Sequence, residues 1–315
     1  MRWQSKTEHF PEKNMRFKQE EGMQVIRTLS ELRQKVRSVR ASGQMIAFVP
    51  TMGFLHDGHL SLVQKANEVA DFVVVSIFVN PLQFGCHEDL DSYPQNFDSD
   101  RQKLADMNVD VVFAPTVSEM YPDGLGEQTI VKVPEALSQI HCGEFRPGHF
   151  DGVATVVTKL FGMVQPDIAI FGEKDYQQLV VIRRIVRDLS LPVEIIGMPT
   201  CREADGLAMS SRNSYLSPEE RAKAPRLYQV LNQSKETIRA GERNYLKVAE
   251  TAEKILQEGG FEPQYFRICS QLDLEPADES DETLVILVAA MMGTTRLIDN
   301  IAFDLAISET PSDLV

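Results

Sequence analysis

Met45-Ile46-Ala47-Phe48-Val49-Pro50-Thr51-Met52-Gly53-Phe54-Leu55-His56-Asp57-Gly58-His59 runs from an apolar stretch straight into a turn and then into an amphipathic segment. Residues 45–49 read as a short buried strand. From His59 onward, Leu60, Leu62, Val63, Ala66 and Val69 fall on one helical face, and residues 71–79 return as a second, fully apolar strand. A strand, a helix and a strand over this length make a βαβ unit with a right-handed crossover. Upstream, Leu29, Leu32, Val36 and Val39 recur at helical spacing. Downstream, residues 109–114, 168–171 and 193–198 are strand-like, and residues 152–164 and 176–189 are helical. Such alternation predicts an α/β fold with a mostly parallel sheet covered by helices on both faces.

Beyond residue 198 the rhythm changes. Ser217-Pro218-Glu219-Glu220 is a capping box with proline at the first helical position, so a helix begins there. Two helices and then strands near 265–269, 284–292 and 295–300 predict a smaller α+β domain. The expected division is a poorly ordered extension over residues 1–22, a larger domain over 23–198 and a second over 199–315.

Composition narrows the function classes. With 315 residues, 43% hydrophobic and 25% charged, the chain has the balance of a globular protein of one or two domains. Its longest apolar runs, 72–79 and 284–292, fall well short of the roughly 20 residues a membrane span needs. The first 22 residues lack the apolar centre of a signal peptide. Cys86, Cys142, Cys201 and Cys269 are widely spaced with no C-x-x-C pair, which fits reduced cytoplasmic thiols better than disulfides or a thiolate metal site. A net charge of -14 argues against nucleic acid as a partner, so any phosphate site is local. Residues 273–282, with six acidic side chains, read as a solvated loop.

Five segments carry chemistry. In the opening stretch, the H-x-G-H at 56–59 stands where a helix N-terminus offers free amides and a positive dipole end to phosphate. His59 can donate a hydrogen bond to oxygens that gain charge as pyrophosphate leaves, with His56 beside it. The alternative is that one histidine caps the helix and the other is surface; zinc is a weaker option, since no third ligand has matching spacing. Asn80 and Gln83 leave the carboxyl end of the second strand, where open α/β sheets place ligands, although Asn80-Pro81 can equally be a plain turn. In Gly172-Glu173-Lys174-Asp175, Lys174 suits phosphate oxygens, and Asp175 is a candidate N-cap with Gln178 reaching back. Met209-Ser210-Ser211-Arg212 offers two hydroxyls and a guanidinium on a polar loop, a set able to clamp a phosphate chain. Arg146-Pro147-Gly148-His149-Phe150 either lines the substrate cavity or is the turn leading into a helix.

In order, P-T-M-G-x-L-H-x-G-H at 50–59, F-V-N-P-x-Q-F at 78–84, R-P-G-H-F at 146–150, G-E-K-D at 172–175, S-S-R-N at 210–213 and R-L-I-D-N at 296–300 closely resemble the pantothenate synthetase family. The resemblance implies a Rossmann-like nucleotidyltransferase domain followed by a C-terminal lid, usually as a homodimer. It implies ATP-dependent condensation of pantoate with β-alanine through a pantoyl adenylate. By position, Met52, Gly53, Phe54, Leu55, His56, Asp57, Gly58 and His59 would contact ATP, with His59 as catalytic proton donor. Gly172 to Asp175 and Met209 to Arg212 would cradle the nucleotide, with the backbone at Cys201 near the adenine. Gln83 and Gln178 would hold pantoate from opposite sides, Gln83 also meeting β-alanine, with Asn80 beside them. Lys174, Arg212, His56, His59 and a magnesium ion carried by the phosphates would neutralise charge as the carboxylate attacks the α-phosphorus; no dedicated protein metal cage is expected. Rival readings are an adenylyltransferase that stops after nucleotidyl transfer and a nucleotide-binding regulator without activity.

Overall fold

The computed structural model describes residues 22–85 and 88–305. Apart from Gly22, the expected extension falls outside the described residues, as does Cys86.

Strands β1 (Gln24–Ile26), β2 (Ile46–Thr51), β3 (Phe72–Ile77), β4 (Val111–Phe113), β5 (Ile168–Gly172) and β6 (Glu194–Met198) form one sheet in the order β1-β4-β3-β2-β5-β6, every pair parallel. The register of β2 against β3 pairs Ile46 with Phe72 and Thr51 with Ile77. Alternate side chains serve opposite faces. Ile46 and Phe48 join one core with the Leu29–Ala41 and His149–Val164 helices. Ala47 and Val49 join the other, against Leu62, Val63 and Ala66 of the Asp57–Val69 helix. Burial on both sides is why these strands read as unbroken apolar runs.

Two of the elements that were not expected bear on the site and the sheet edge. β1 is an edge strand of three residues, and the Phe97–Asp106 helix buries Asp100 together with Leu104.

A second sheet, β7 (Glu262–Ser270), β8 (Thr283–Met292) and β9 (Thr295–Asp304), is antiparallel in the order β7-β8-β9. The Arg226–Arg239 and Tyr245–Glu258 helices cover one face. On the other, Tyr265, Val285 and Leu287 pack with Tyr176 at the start of the Tyr176–Asp188 helix. The Ser217 capping box forms as expected: Ser217 Oγ accepts the Glu220 N–H at 3.3 Å and Glu220 Oε2 accepts the Ser217 N–H at 2.8 Å.

The strand order fixes where ligands go. From β2 the chain moves outward to β3 and β4, then returns on the other side of β2 as β5 and β6. β2 and β5 are therefore neighbours at the switch point, and the crevice beyond their carboxyl ends is the expected ligand site of an open α/β sheet.

Candidate active site

The turn after β2 is held in an unusual shape. Gly53 and Phe54 both have positive φ, at 86° and 52°. A non-glycine residue in that region costs roughly 1–2 kcal/mol. Asp100 offsets the cost: its two carboxylate oxygens accept the Phe54 N–H at 2.7 Å and the Leu55 N–H at 2.8 Å, while Lys103 Nζ donates to Leu55 O at 2.6 Å. The helix that follows starts at Asp57, with His56 as its N-cap and His59 at its third residue. The sequence placed its start two residues later. The two imidazoles lie 4.0 Å apart, centroid to centroid. A Cβ on Gly58 would press on the His56 ring at 3.0 Å, so glycine permits this packing as well as any close approach of phosphate.

Both histidines are neutral at pH 7. Burial, then the charge of Lys174, lowers His56 to about 4; burial, then His56 and Lys174, lowers His59 to about 3. The His56 N–H donates to Nδ1 of His59 at 3.3 Å, so the one proton of the neutral His59 ring sits on Nε2. Nδ1 of His56 is buried without a hydrogen-bond partner.

The turn after β3 builds the adjoining wall. Asn80 is 1% exposed, and its amide is fully engaged. Oδ1 accepts the Tyr121 hydroxyl at 2.7 Å and the Leu82 N–H at 3.3 Å, and Nδ2 donates to Gly152 O at 3.2 Å and Gln83 Oε1 at 3.3 Å. Asn80 thus caps the short Pro81–Gln83 helix and steadies Gln83, with no polar capacity left over for a ligand. Gln83 Nε2 points to the sulfur of Met52 at 2.9 Å. Behind it, His149 Nδ1 donates to Gln83 O at 2.8 Å; Arg146 can only donate to Nε2, which fixes the tautomer. Burial first, then the Arg146 charge, lowers His149 to about 4. Arg146 itself pairs with Glu88, its Nε donating at 2.7 Å.

Opposite stand the residues after β5. Asp175 occupies the N-cap position of the Tyr176–Asp188 helix, but its side chain makes no capping bond. The carboxylate instead opens into the crevice, where burial would raise its pKa and the Lys174 and Arg212 charges outweigh that and lower it. Gln178 faces the same space. Arg212 differs from expectation: its fork is paired with Asp89, Nε to Oδ2 at 2.9 Å and Nη2 to Oδ1 at 2.7 Å. Any clamp it makes on phosphate therefore works beside, or in exchange for, that carboxylate.

One cleft gathers Met52, His56, Gly58 and His59 with Asn80, Gln83, Gly172, Lys174, Asp175, Gln178, Cys201, Met209, Ser210, Ser211 and Arg212. Five residues expected at the nucleotide do not line it. The Phe54 and Leu55 amides belong to Asp100, and Gly53 sits under that same turn against Asp100. Asp57 projects outward from the first turn of its helix, and the carbonyl of Glu173 is taken by Asn300. Phe78, Val153, Val157 and Leu160 make the cleft's inner end apolar. Lys174, Asp175, Ser210 and Arg212 also border a wider cavity of about 720 Å³ that reaches β9, so they stand at the junction of the two spaces. Asp100, Tyr121, Glu88 and Asp89 were missed, since each acts through a partner distant in sequence. Among the described residues, no group of three or more His, Cys, Asp or Glu is placed to hold a metal ion, and no helix is long and apolar enough to cross a membrane.

The sequence profile of the family described as Pantoate-beta-alanine ligase matches residues 24–302. The chain is 55% identical over 290 residues to the pantothenate synthetase of Pseudomonas fluorescens (strain Pf0-1), covering 92% of this chain and all of that one. It is 54% identical over 283 residues to the same-named protein of Pseudomonas aeruginosa (strain UCBPP-PA14), covering 90% of this chain and 100% of the relative. Among solved structures, pantothenate synthetase from Thermus thermophilus is similar with a TM-score of 0.83 at 47% identity, over 89% of this chain and 99% of that one. Pantoate-beta-alanine ligase from Francisella tularensis, complexed with beta-gamma ATP and beta-alanine, is similar with a TM-score of 0.76 at 34% identity, over 89% and 97%. On the extent of these matches, the chain belongs to the pantoate–β-alanine ligase family.

Proposed function

We infer that the protein condenses pantoate with β-alanine using ATP, through a pantoyl adenylate, and releases pantothenate, AMP and diphosphate. The observation that carries this reading is the meeting, across the β2–β5 switch point, of the paired histidines and Lys174 with two amides, Gln83 and Gln178. A carboxylate is a poor acyl donor until one of its oxygens attacks the α-phosphorus and diphosphate departs. Charge then builds on phosphate oxygens, and preorganised donors that meet it lower the barrier. Lys174 supplies a cation and His59 its Nε2–H. Because the ring is neutral in the free protein, His59 acts first as a hydrogen-bond donor; an arriving triphosphate would raise its pKa. The uncharged amine of β-alanine attacks the mixed anhydride, forming the amide and expelling AMP.

The apolar inner end favours a branched aliphatic acid over a second phosphorylated substrate, which weighs against an adenylyltransferase that stops after the first step. Magnesium fits as an ion that enters with the nucleotide, held by phosphate oxygens and water and neutralising their charge. We assign residues 23–198 to nucleotide and pantoate binding and residues 199–315 to a lid, supported by Ser210 and Arg212, which line the cleft from beyond β6. Function as a cytoplasmic homodimer completes the proposal.

The test is incubation with ATP, magnesium, pantoate and β-alanine, each omitted in turn, while AMP and diphosphate are followed. Exchange of labelled diphosphate into ATP should require pantoate and proceed without β-alanine; its absence would refute the adenylate.

A further inference from the structure

The R-L-I-D-N motif at 296–300 has no part in the chemistry above, yet Asp299 and Asn300 are only 3% and 5% exposed. Asn300, on β9, reaches from the second sheet to the turn after β5. Its Nδ2 donates to Glu173 O at 2.8 Å and to Lys174 O at 2.9 Å. Asn300 is itself immobilised. Its N–H bonds Asp299 Oδ1 at 2.7 Å, and Arg202 Nη2 donates to its carbonyl at 3.3 Å. Arg202 also grips Asp299 with both ends of its fork, at 2.7 and 2.9 Å, and lies over the Tyr228 ring at 3.5 Å.

We propose that Asn300 is a positioning residue that aims Lys174 at the triphosphate. The carbonyls of Glu173 and Lys174 belong to the two peptide planes on either side of the Lys174 Cα. Fixing both planes fixes the direction in which that Cα launches its side chain. Only a primary amide offers two donors from one nitrogen at this reach; a carboxylate of the same shape offers none and turns a negative charge toward two carbonyl oxygens. The turn that bears the lysine thus belongs to the first sheet but takes its conformation from the second. Precise aim matters because a misplacement of about 1 Å in a charged group costs on the order of a hundredfold in rate.

This inference rests on the assignment of Lys174 to the nucleotide phosphates. The test is calorimetric titration of ATP with magnesium into four proteins: wild type, Lys174→Ala, Asn300→Asp and the double variant, with pantoate titrated in parallel. Asn300→Asp should weaken ATP at least about tenfold and leave pantoate within about twofold. In the Lys174→Ala background the same change should add less than about twofold, because no side chain remains to be aimed. A merely structural role would weaken ATP by the same factor in both backgrounds, or weaken pantoate equally, and either result overturns the proposal. Should Asn300→Asp fail to fold, Asn300→Ser carries the same expectations. ATP binding by Lys174→Ala at wild-type strength removes Lys174 from the site and this inference with it. If Lys174→Ala weakens ATP and Asn300→Asp does not, this inference alone falls.

Discussion

Replacing Asp100 by asparagine isolates what one buried carboxylate does for the turn after β2. Asp100 is 2% exposed, and each of its oxygens accepts one backbone N–H, from Phe54 and Leu55. Asparagine keeps the shape and one acceptor but sets an NH2 group against the other N–H. The loss is one charge-assisted hydrogen bond, of about 1.5–3 kcal/mol, and a buried donor left without a partner, of about 1–3 kcal/mol. Partial relaxation of the turn offsets some of this, so we expect about 3 kcal/mol. Urea unfolding of the ligand-free protein should show this as a lower midpoint at unchanged slope, in the transition that reports the parallel sheet. Asp98→Asn, on the same helix but away from the turn, is the control and should stay within about 0.5 kcal/mol. Because the turn also sets Met52 and His56, the KM for ATP should rise in the Asp100 variant and not in the control. If Asp100→Asn unfolds at the same midpoint as Asp98→Asn, the carboxylate does not hold the turn.

His59→Ala should lower pantoate-dependent diphosphate exchange by about a hundredfold or more while leaving the circular dichroism unchanged; wild-type exchange would remove His59 from the mechanism. Gln83→Ala should raise the KM for pantoate, and unchanged kinetics with both substrates would return Gln83 to a structural role. Gly152→Ala should raise the same KM and lower stability by about 1–3 kcal/mol, since its Cβ would lie 2.2 Å from Leu82 O, too close for either backbone to stay in place; a crystal structure with an unmoved Gln83 would contradict this. For His149, the native pKa of about 4 lies below the ordinary 6.5, so the unfolded chain binds the extra proton first. Its stabilising contribution is present above pH 6.5 and lost as pH falls toward 4, and His149→Gln should flatten the pH dependence of unfolding in that window by up to about 1.4 kcal/mol per pH unit. Equal slopes for both proteins would show that His149 does not resist protonation.

The parts of the site legible in the sequence are those whose signal is local. A buried parallel strand is apolar throughout, so β2 and β3 announce themselves, and what lies between them must be the turn and helix that carry His56 and His59. The Phe97–Asp106 helix shows the opposite case. Its buried positions, Asp100 and Leu104, are one helical turn apart, as a core stripe requires, but the first is a carboxylate holding the turn after β2. An apolar pattern is missing because a carboxylate that binds two turn amides has taken a core position. Asp175 fails for a related reason. Its place at a helix start reads as a cap, yet the side chain makes no capping bond and the residue lines the crevice with Lys174 and Arg212. The pairings of Tyr121 with Asn80, Asp89 with Arg212 and Asn300 with the Lys174 turn span 41, 123 and 126 residues, and no spacing rule reaches that far. What the sequence displays is thus the set of groups that can face a ligand, while the groups that hold them in place become visible only once the chain has folded and brought the two sheets against each other.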